Sequence, residues 1–160
     1  MTRIQLILLA SLGSAALLAG AFAFQYIGGL APCHLCLQQR YPHAMAVAIG
    51  LLALVIPMGL VARLLPWTGA AAALTTAGLG LYHTGVERHW WLGPTTCTSG
   101  SIGKLSAKDL LAQIQAAPVV KCDQVAWEMF GISMASWNML ASLVLVVIWI
   151  MAARSAGNRR

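Results

Sequence analysis

Residues 4–27 read IQLILLASLGSAALLAGAFAFQYI, a stretch without a single charged side chain. About 20 mostly apolar residues are needed to cross the roughly 30 Å hydrocarbon core of a bilayer. This stretch is longer than the apolar region of a secretory signal peptide and further apolar stretches follow it, so it predicts a retained helix. Similar stretches at about 41–62, 67–86 and 132–153 bring the number of predicted spans to four.

The composition indicates the same class of protein. Apolar residue types make up 59% of the 160 residues and charged types only 9%, whereas soluble domains carry about 25% charged residues. So few charges could not cover the surface of a soluble globule, and so apolar a chain is not disordered. We therefore expect one integral membrane domain over residues 1–160, an all-α protein built as a four-transmembrane-helix bundle.

The charged residues predict how the bundle is oriented. Four spans place both termini on one side of the membrane. A short connection at about 63–66, which joins the second span to the third, lies on that same side. That side carries five arginines and no acid, whereas all four acids fall on the other side. Because Lys and Arg concentrate on the cytoplasmic side, we expect cytoplasmic termini and outer loops at about 28–40 and 87–131. The net charge of +6 then reflects orientation, and no basic run indicates nucleic-acid binding.

A short helix is predicted in the second outer loop. Ser106 is a favourable N-cap with Asp109 three positions later, and Leu105 and Leu110 have the spacing of a hydrophobic staple. Pro118 would end this helix. It is too short to span a bilayer, so it either lies on the membrane surface or packs within the loop.

All four cysteines fall in the predicted outer loops, two in each. Cys33 and Cys36 lie in the first loop, and Cys97 and Cys122 in the second. Disulfides persist outside the cytoplasm, and four cysteines allow three pairings. Cys33 and Cys36 are so close in sequence that they most simply pair with each other, which leaves Cys97 with Cys122.

The motif Cys33-His34-Leu35-Cys36 indicates redox activity. A disulfide across so short a loop adds little stability, whereas the C-x-x-C arrangement lowers a thiol pKa. If the second helix begins near residue 38 or 39, Cys36 lies just ahead of its N-terminus, where the helix dipole and Arg40 favour a thiolate. A structural disulfide and half of a zinc site, completed by His34 or the other cysteines, are alternatives.

The pair Cys97 and Cys122 is compatible with a structural disulfide or with a redox role. A redox-active C-x-x-C at a membrane surface needs an electron donor and an acceptor. A soluble protein could contact a second pair on a long loop, and the membrane could supply a quinone. Thiol–disulfide exchange through mixed disulfides would connect the two pairs.

The sequence resembles the bacterial disulfide bond formation protein B (DsbB) family over nearly its whole length. Pro32-Cys33-His34-Leu35-Cys36 followed by Arg40 is similar to the family motif P-C-x-x-C-x-x-x-R. The second loop and the start of the last span are similar to the family in a further set of residues, namely Pro94, Cys97, Cys122, Trp127, Gly131, Met134 and Trp137.

The resemblance implies an inner-membrane oxidoreductase. A periplasmic DsbA-like thioredoxin-fold protein would form a mixed disulfide at Cys97. Electrons would pass from Cys97–Cys122 to Cys33–Cys36, and Cys36 would reduce a bound quinone, ubiquinone or menaquinone. Arg40 resembles the quinone-site arginine of the family, where a cation can stabilise a thiolate and negative charge on a quinone oxygen.

Three further residues are expected at the quinone by the same resemblance: His83, Glu87 and Met134. Glu87 stands where the best-known members carry glutamine. For Asn138 and Ser142 we expect helix–helix hydrogen bonds, and for His34, His43 and His89 surface or interface positions. The alternative function, from a different class, is a non-catalytic membrane subunit with two structural disulfides.

Overall fold

The computed structural model describes residues 1–56, 59–94 and 121–155. The elements of these segments are α1 Arg3–Tyr26, α2 His34–Val55, α3 Gly59–Glu87, β1 Glu128–Met129, β2 Ile132–Ser133 and α4 Met134–Ser155. The helix predicted after Ser106 and the cysteine at position 97 lie outside the described residues. The mostly helical architecture predicted from the sequence is confirmed.

The four helices pack as a bundle in which α1 and α3 each contact both α2 and α4. The buried core is rich in small residues, namely Ala10, Ala53, Ala70, Ala73 and Ala152. Such residues let helix backbones approach closely inside a membrane. The fully buried Trp149 of α4 fills the remaining space, and its indole lies against Gly69 of α3.

The outer surface of the bundle is apolar. Large side chains such as Leu12, Leu51 and Val144 are about 60% exposed, which suits contact with lipid better than contact with water. Among the described helices, α1, α3 and α4 are long and apolar enough to cross a membrane. The first half of α2 carries Gln38, Gln39 and Arg40, and its crossing stays a prediction.

The predicted connection at about 63–66 is wrong. These residues lie inside α3, which already begins at Gly59, and α2 ends at Val55. Gly59 has a φ of +92°, a left-handed conformation that glycine adopts without steric cost. The Arg3 guanidinium donates a hydrogen bond to the Ala62 carbonyl, so the first residues of the chain lie at the same end as Arg63.

The predicted start of α2 is also wrong. The helix begins at His34 because Cys33 acts as its N-cap, with an extended backbone and a sulfur that accepts the N–H of Cys36. Pro42 therefore lies inside the helix, where its missing N–H removes one backbone hydrogen bond. Cys36 lies within the first turn of α2, not ahead of the helix.

A two-stranded hairpin leads into α4. Its register pairs Glu128 with Ser133 and Met129 with Ile132. Phe130 and Gly131 form the turn with φ of 55° and 72°, and positive φ at both positions is the pattern of a type I′ turn. The hairpin sets Ser133 directly ahead of α4.

Candidate active site

Cys33 and Cys36 form a dithiol at the N-terminus of α2. Both are free, and the Cys33 thiol donates a hydrogen bond to the Cys36 sulfur over an Sγ–Sγ distance of 2.9 Å. The backbone N–H of Cys36 donates to the Cys33 sulfur at 3.2 Å. The helix start therefore holds the two sulfurs in contact and assigns them different roles, one donating and one accepting.

This contact separates the acidities of the two thiols. The hydrogen bond from Cys33 is the largest cause that lowers the pKa of Cys36, from 9.0 to about 7; burial opposes it and Arg40 adds to it. The same hydrogen bond, together with burial, raises the pKa of Cys33. Cys36 is therefore the more acidic thiol of the pair, and the main cause is Cys33 rather than Arg40.

A cavity of about 370 Å³ lies beside Cys36. Arg40, His83 and Met134, three of the residues expected at a quinone, line it together with Cys36. Its remaining walls are largely apolar and include Phe24, Leu30, Pro32, Ala126, Trp127 and Ala141. An apolar pocket with a few convergent polar groups is typical of a cofactor or small-molecule site.

Arg40 lies one helical turn after Cys36. Its guanidinium donates to the Gln25 side-chain oxygen at 2.6 Å and to the Ala21 carbonyl at 3.3 Å, and it lies 4.8 Å from the centre of the Phe22 ring. Within the three described segments, no carboxylate pairs with it. Its positive charge is therefore held in place by neutral groups and can act on an anion in the cavity.

His83 connects the dithiol to α3. The imidazole is 4% exposed, and its Nε2 lies 3.5 Å from the Cys33 sulfur and 3.8 Å from Oε1 of Glu87. Glu87 in turn accepts a hydrogen bond from the Ser133 hydroxyl. Glu87 is not among the cavity-lining residues, so the structure gives it a contact with His83 instead of a place in the cavity wall.

The atoms that could ligate a metal are those of Cys33, Cys36 and His83, all within 4.8 Å of one another. However, the Gln39 side-chain nitrogen lies 2.9 Å from Nδ1 of His83. An amide nitrogen only donates, so the imidazole proton resides on Nε2, the atom that would have to bind the metal. These hydrogen bonds favour a dithiol site over a zinc site, and the other suggested ligand, His34, is exposed.

Cys122, one member of the second cysteine pair, lies close to this dithiol. Cys122 is disulfide-bonded and 1% exposed, and it belongs to one buried cluster with Cys33, Leu35 and Val86. Cys97 lies outside the described residues. The packing of Cys122 with Cys33 brings a disulfide sulfur into the neighbourhood of the free dithiol, as thiol–disulfide exchange requires.

Three polar residues of the cavity wall were not predicted as site residues: Gln39, His43 and Asn138. Surface or interface positions were expected for three histidines; His34 and His89 are exposed, whereas His43 is 3% exposed and is therefore not at the surface. Asn138 makes the expected helix–helix hydrogen bonds, but the same expectation was wrong for Ser142, whose hydroxyl has no partner among the described residues. One signal was present in the sequence, because residues 36, 39, 40 and 43 have the three- and four-residue spacing of a single helix face.

Comparisons with known proteins agree with these features. The model of the family described as "Disulfide bond formation protein DsbB" matches residues 3–152. Proteins named Disulfide bond formation protein B are similar to this chain in three bacteria. That of Dechloromonas aromatica is 34% identical over 134 residues, covering 81% of this chain and 79% of the relative. The Methylococcus capsulatus protein is 34% identical over 151 residues, or 86% of each chain. The Verminephrobacter eiseniae protein is 32% identical over 167 residues, covering 95% of this chain and 88% of the relative.

Proposed function

The chain belongs to the DsbB family of disulfide bond formation proteins, membrane proteins that act in thiol oxidation, and from this we propose that it passes electrons from a periplasmic DsbA-like dithiol protein to a membrane quinone. The observation that carries the proposal is the apolar cavity in which Cys36 and Arg40 meet. Both the thiolate and the fixed positive charge face the space that an electron acceptor would occupy.

The residues present fit a quinone. Phe24, Leu30 and Trp127 offer apolar surface for a ring and its tail, and Trp127 is itself held by Phe24 with ring centres 5.0 Å apart. Ubiquinone or menaquinone, when bound, takes up two electrons and two protons. Arg40, His83 and Met134 would hold it, while Glu87 acts through its contact with His83.

The cysteines supply the path of the electrons. The partner's thiolate attacks Cys97, breaking the Cys97–Cys122 disulfide and forming a mixed disulfide. The released Cys122 thiolate attacks the Cys33 sulfur of an oxidised Cys33–Cys36 pair, and Cys36 leaves as a thiolate. A low pKa makes a thiol a better leaving group, so the lowered pKa of Cys36 favours this direction of cleavage.

The charges of the chain support a proposed location. We place the protein in the bacterial inner membrane with both termini in the cytoplasm, because the arginines at the terminal side lack neighbouring acids. The cysteines then face the periplasm, where a soluble dithiol protein can reach them.

The test is turnover of the purified protein with a reduced DsbA-like donor and with ubiquinone or menaquinone analogues. Arg40→Gln removes a charge that faces the cavity and should lower kcat/KM for the quinone at least tenfold, since a hydrogen bond to a charged group contributes about 1.5–3 kcal/mol. Arg88→Gln is the matched control, because Arg88 is exposed and donates to the Gly131 carbonyl. It should behave as the unmodified protein.

Two results would refute the proposal. One is unchanged quinone reduction in Arg40→Gln, and the other is turnover in Cys36→Ser. The alternative of a non-catalytic subunit with two structural disulfides predicts no thiol that quinone can oxidise.

A further inference from the structure

Buried polar side chains of α2, α3 and α4 form a continuous hydrogen-bonded chain that ends at Cys33. His43 Nε2 lies 2.9 Å from Oδ1 of Asn138, whose Nδ2 lies 2.6 Å from Oε1 of Gln39. The Gln39 Nε2 lies 2.9 Å from Nδ1 of His83, and the His83 Nε2 lies 3.5 Å from the Cys33 sulfur. The chain therefore connects the wall of the cavity to the redox pair.

The direction of the chain is fixed by its side contacts. Gln39 Nε2 also donates to the Leu35 carbonyl at 3.2 Å, and a reversed amide would place two acceptor oxygens opposite each other. The Thr76 hydroxyl donates to the backbone carbonyl of Gln39 and accepts a hydrogen bond from Nδ2 of Asn138. Every hydrogen bond of the chain needs one donor and one acceptor. This is possible only if His43 donates to Asn138, Asn138 to Gln39, Gln39 to His83, and His83 to Cys33.

This direction determines where His83 holds its proton. Its Nδ1 accepts from Gln39, so the neutral imidazole carries the proton on Nε2, which lies 3.5 Å from the Cys33 sulfur and also within reach of the Cys122 backbone. The backbone N–H of Cys36 is directed at the same sulfur. Two fixed donors aimed at one atom stabilise negative charge on that atom when it appears.

We propose that Gln39, held by Leu35 and Asn138, is a positioning residue that fixes the tautomer of His83, so that the Nε2–H of His83 stabilises Cys33 as a thiolate. Cys33 holds the proton in the resting dithiol, and its sulfur must lose that proton before it can form a disulfide bond. The use of this thiolate rests on the proposed function. The tautomer of His83 and the acidity of Cys33 do not depend on the proposed function. Both are therefore measured without quinone and without a protein donor.

The first test is the tautomer itself. ¹⁵N imidazole spectra of the reduced full-length protein in detergent, with the His83 signals assigned through His83→Gln, should show a protonated Nε2 and an unprotonated Nδ1. Gln39→Leu should replace this state by a mixture of tautomers. Ser142→Ala, one turn along α4 from Asn138, should leave it unchanged, since the Ser142 hydroxyl has no partner among the described residues. A proton on Nδ1 in the unmodified protein overturns the proposal and needs no variant to be folded.

The second test is the acidity of Cys33. In a background of Cys36→Ala, Cys97→Ser and Cys122→Ser, Cys33 is the one remaining thiol and the pH profile of its alkylation reports its ionisation. The titratable and charged groups near Cys33 and His83 then include Arg40 from α2 and both Tyr82 and Glu87 from α3. Gln39→Leu should slow alkylation at a pH below the midpoint by up to about tenfold, the limit set by complete loss of one hydrogen bond to a charged sulfur. An unchanged profile in Gln39→Leu overturns the proposal, as does an equal slowing in Ser142→Ala.

Discussion

Replacing Cys33 tests whether its thiol is what makes Cys36 a thiolate. Cys33→Ala removes the donor that lies 2.9 Å from the Cys36 sulfur, whereas Cys33→Ser keeps a hydroxyl that can donate and can also cap the helix. That hydrogen bond is the largest cause of the drop in the pKa of Cys36 from 9.0 to about 7. We expect the pKa to return towards 9.0 in Cys33→Ala and to stay near 7 in Cys33→Ser.

The size of the effect depends on what is measured. At pH 7 a thiol with a pKa near 7 is about half ionised and one with a pKa near 9 about 1% ionised, a roughly 50-fold loss of thiolate. The more basic thiolate is intrinsically about tenfold more reactive, because nucleophilicity rises with pKa with a coefficient of about 0.5. The alkylation rate of Cys36 at pH 7 should therefore fall only about fivefold in Cys33→Ala. The midpoint of the rate–pH profile shifts by up to about two units and is the sharper readout.

The assay follows alkylation of Cys36 by iodoacetamide from about pH 5 to pH 10, a range that brackets both pKa values. Cys97→Ser and Cys122→Ser are added to every variant, so that Cys36 is the one remaining thiol. Midpoints near 7 in both Cys33 variants would refute the reasoning and assign the effect to Arg40 and the helix N-terminus. Midpoints near 9 in both would show that a hydroxyl cannot replace the thiol as donor.

Two changes outside the dithiol test the packing. Gly69→Ala would place a methyl carbon 2.7 Å from the Trp149 indole and should destabilise the protein by about 1–3 kcal/mol. In Gly78→Ala, in the same helix, the added methyl group meets nothing within 4 Å, so this variant should be neutral or slightly stabilised. Equal Tm values of the Gly69→Ala and Gly78→Ala variants in detergent would contradict this reasoning. Ser133→Ala removes the donor to the largely buried Glu87 and should destabilise by about 1–3 kcal/mol. Ser133→Thr keeps the hydroxyl and should recover most of that loss, and thermal unfolding that shows no recovery would argue against the hydrogen bond.

The helices were predictable where a long apolar run decided them, and the ends of α2 and α3 were not. Arg63 and Pro66 looked like a connection because charges and prolines usually end a span. In the folded chain α3 continues through both, since an arginine near a helix end can extend its charged group towards water and membrane helices tolerate proline. At the other end of α2, the sulfur of Cys33 caps the helix. This role was not predicted because cysteine is not among the residues that usually cap a helix N-terminus.

The proximity of Cys33 and Cys36 was predictable from the sequence, because helix geometry keeps residues three positions apart close together. The contacts of the polar chain join residues up to 99 positions apart, and no local pattern specifies them. His43 illustrates the difference. Its spacing from Cys36 and Arg40 was visible, but its burial depends on α4 presenting Asn138 at the same depth.

Composition and the C-x-x-C motif were thus sufficient to predict a membrane protein with two neighbouring cysteines in contact, because hydropathy and close spacing act locally along the chain. The arrangement of His83 and Cys122 beside Cys33 comes from how the elements pack. A helix of given sequence can turn any of its faces towards its neighbours, and only the packing of all four helices selects one. That selection places the donors around each sulfur and so determines which cysteine carries the charge.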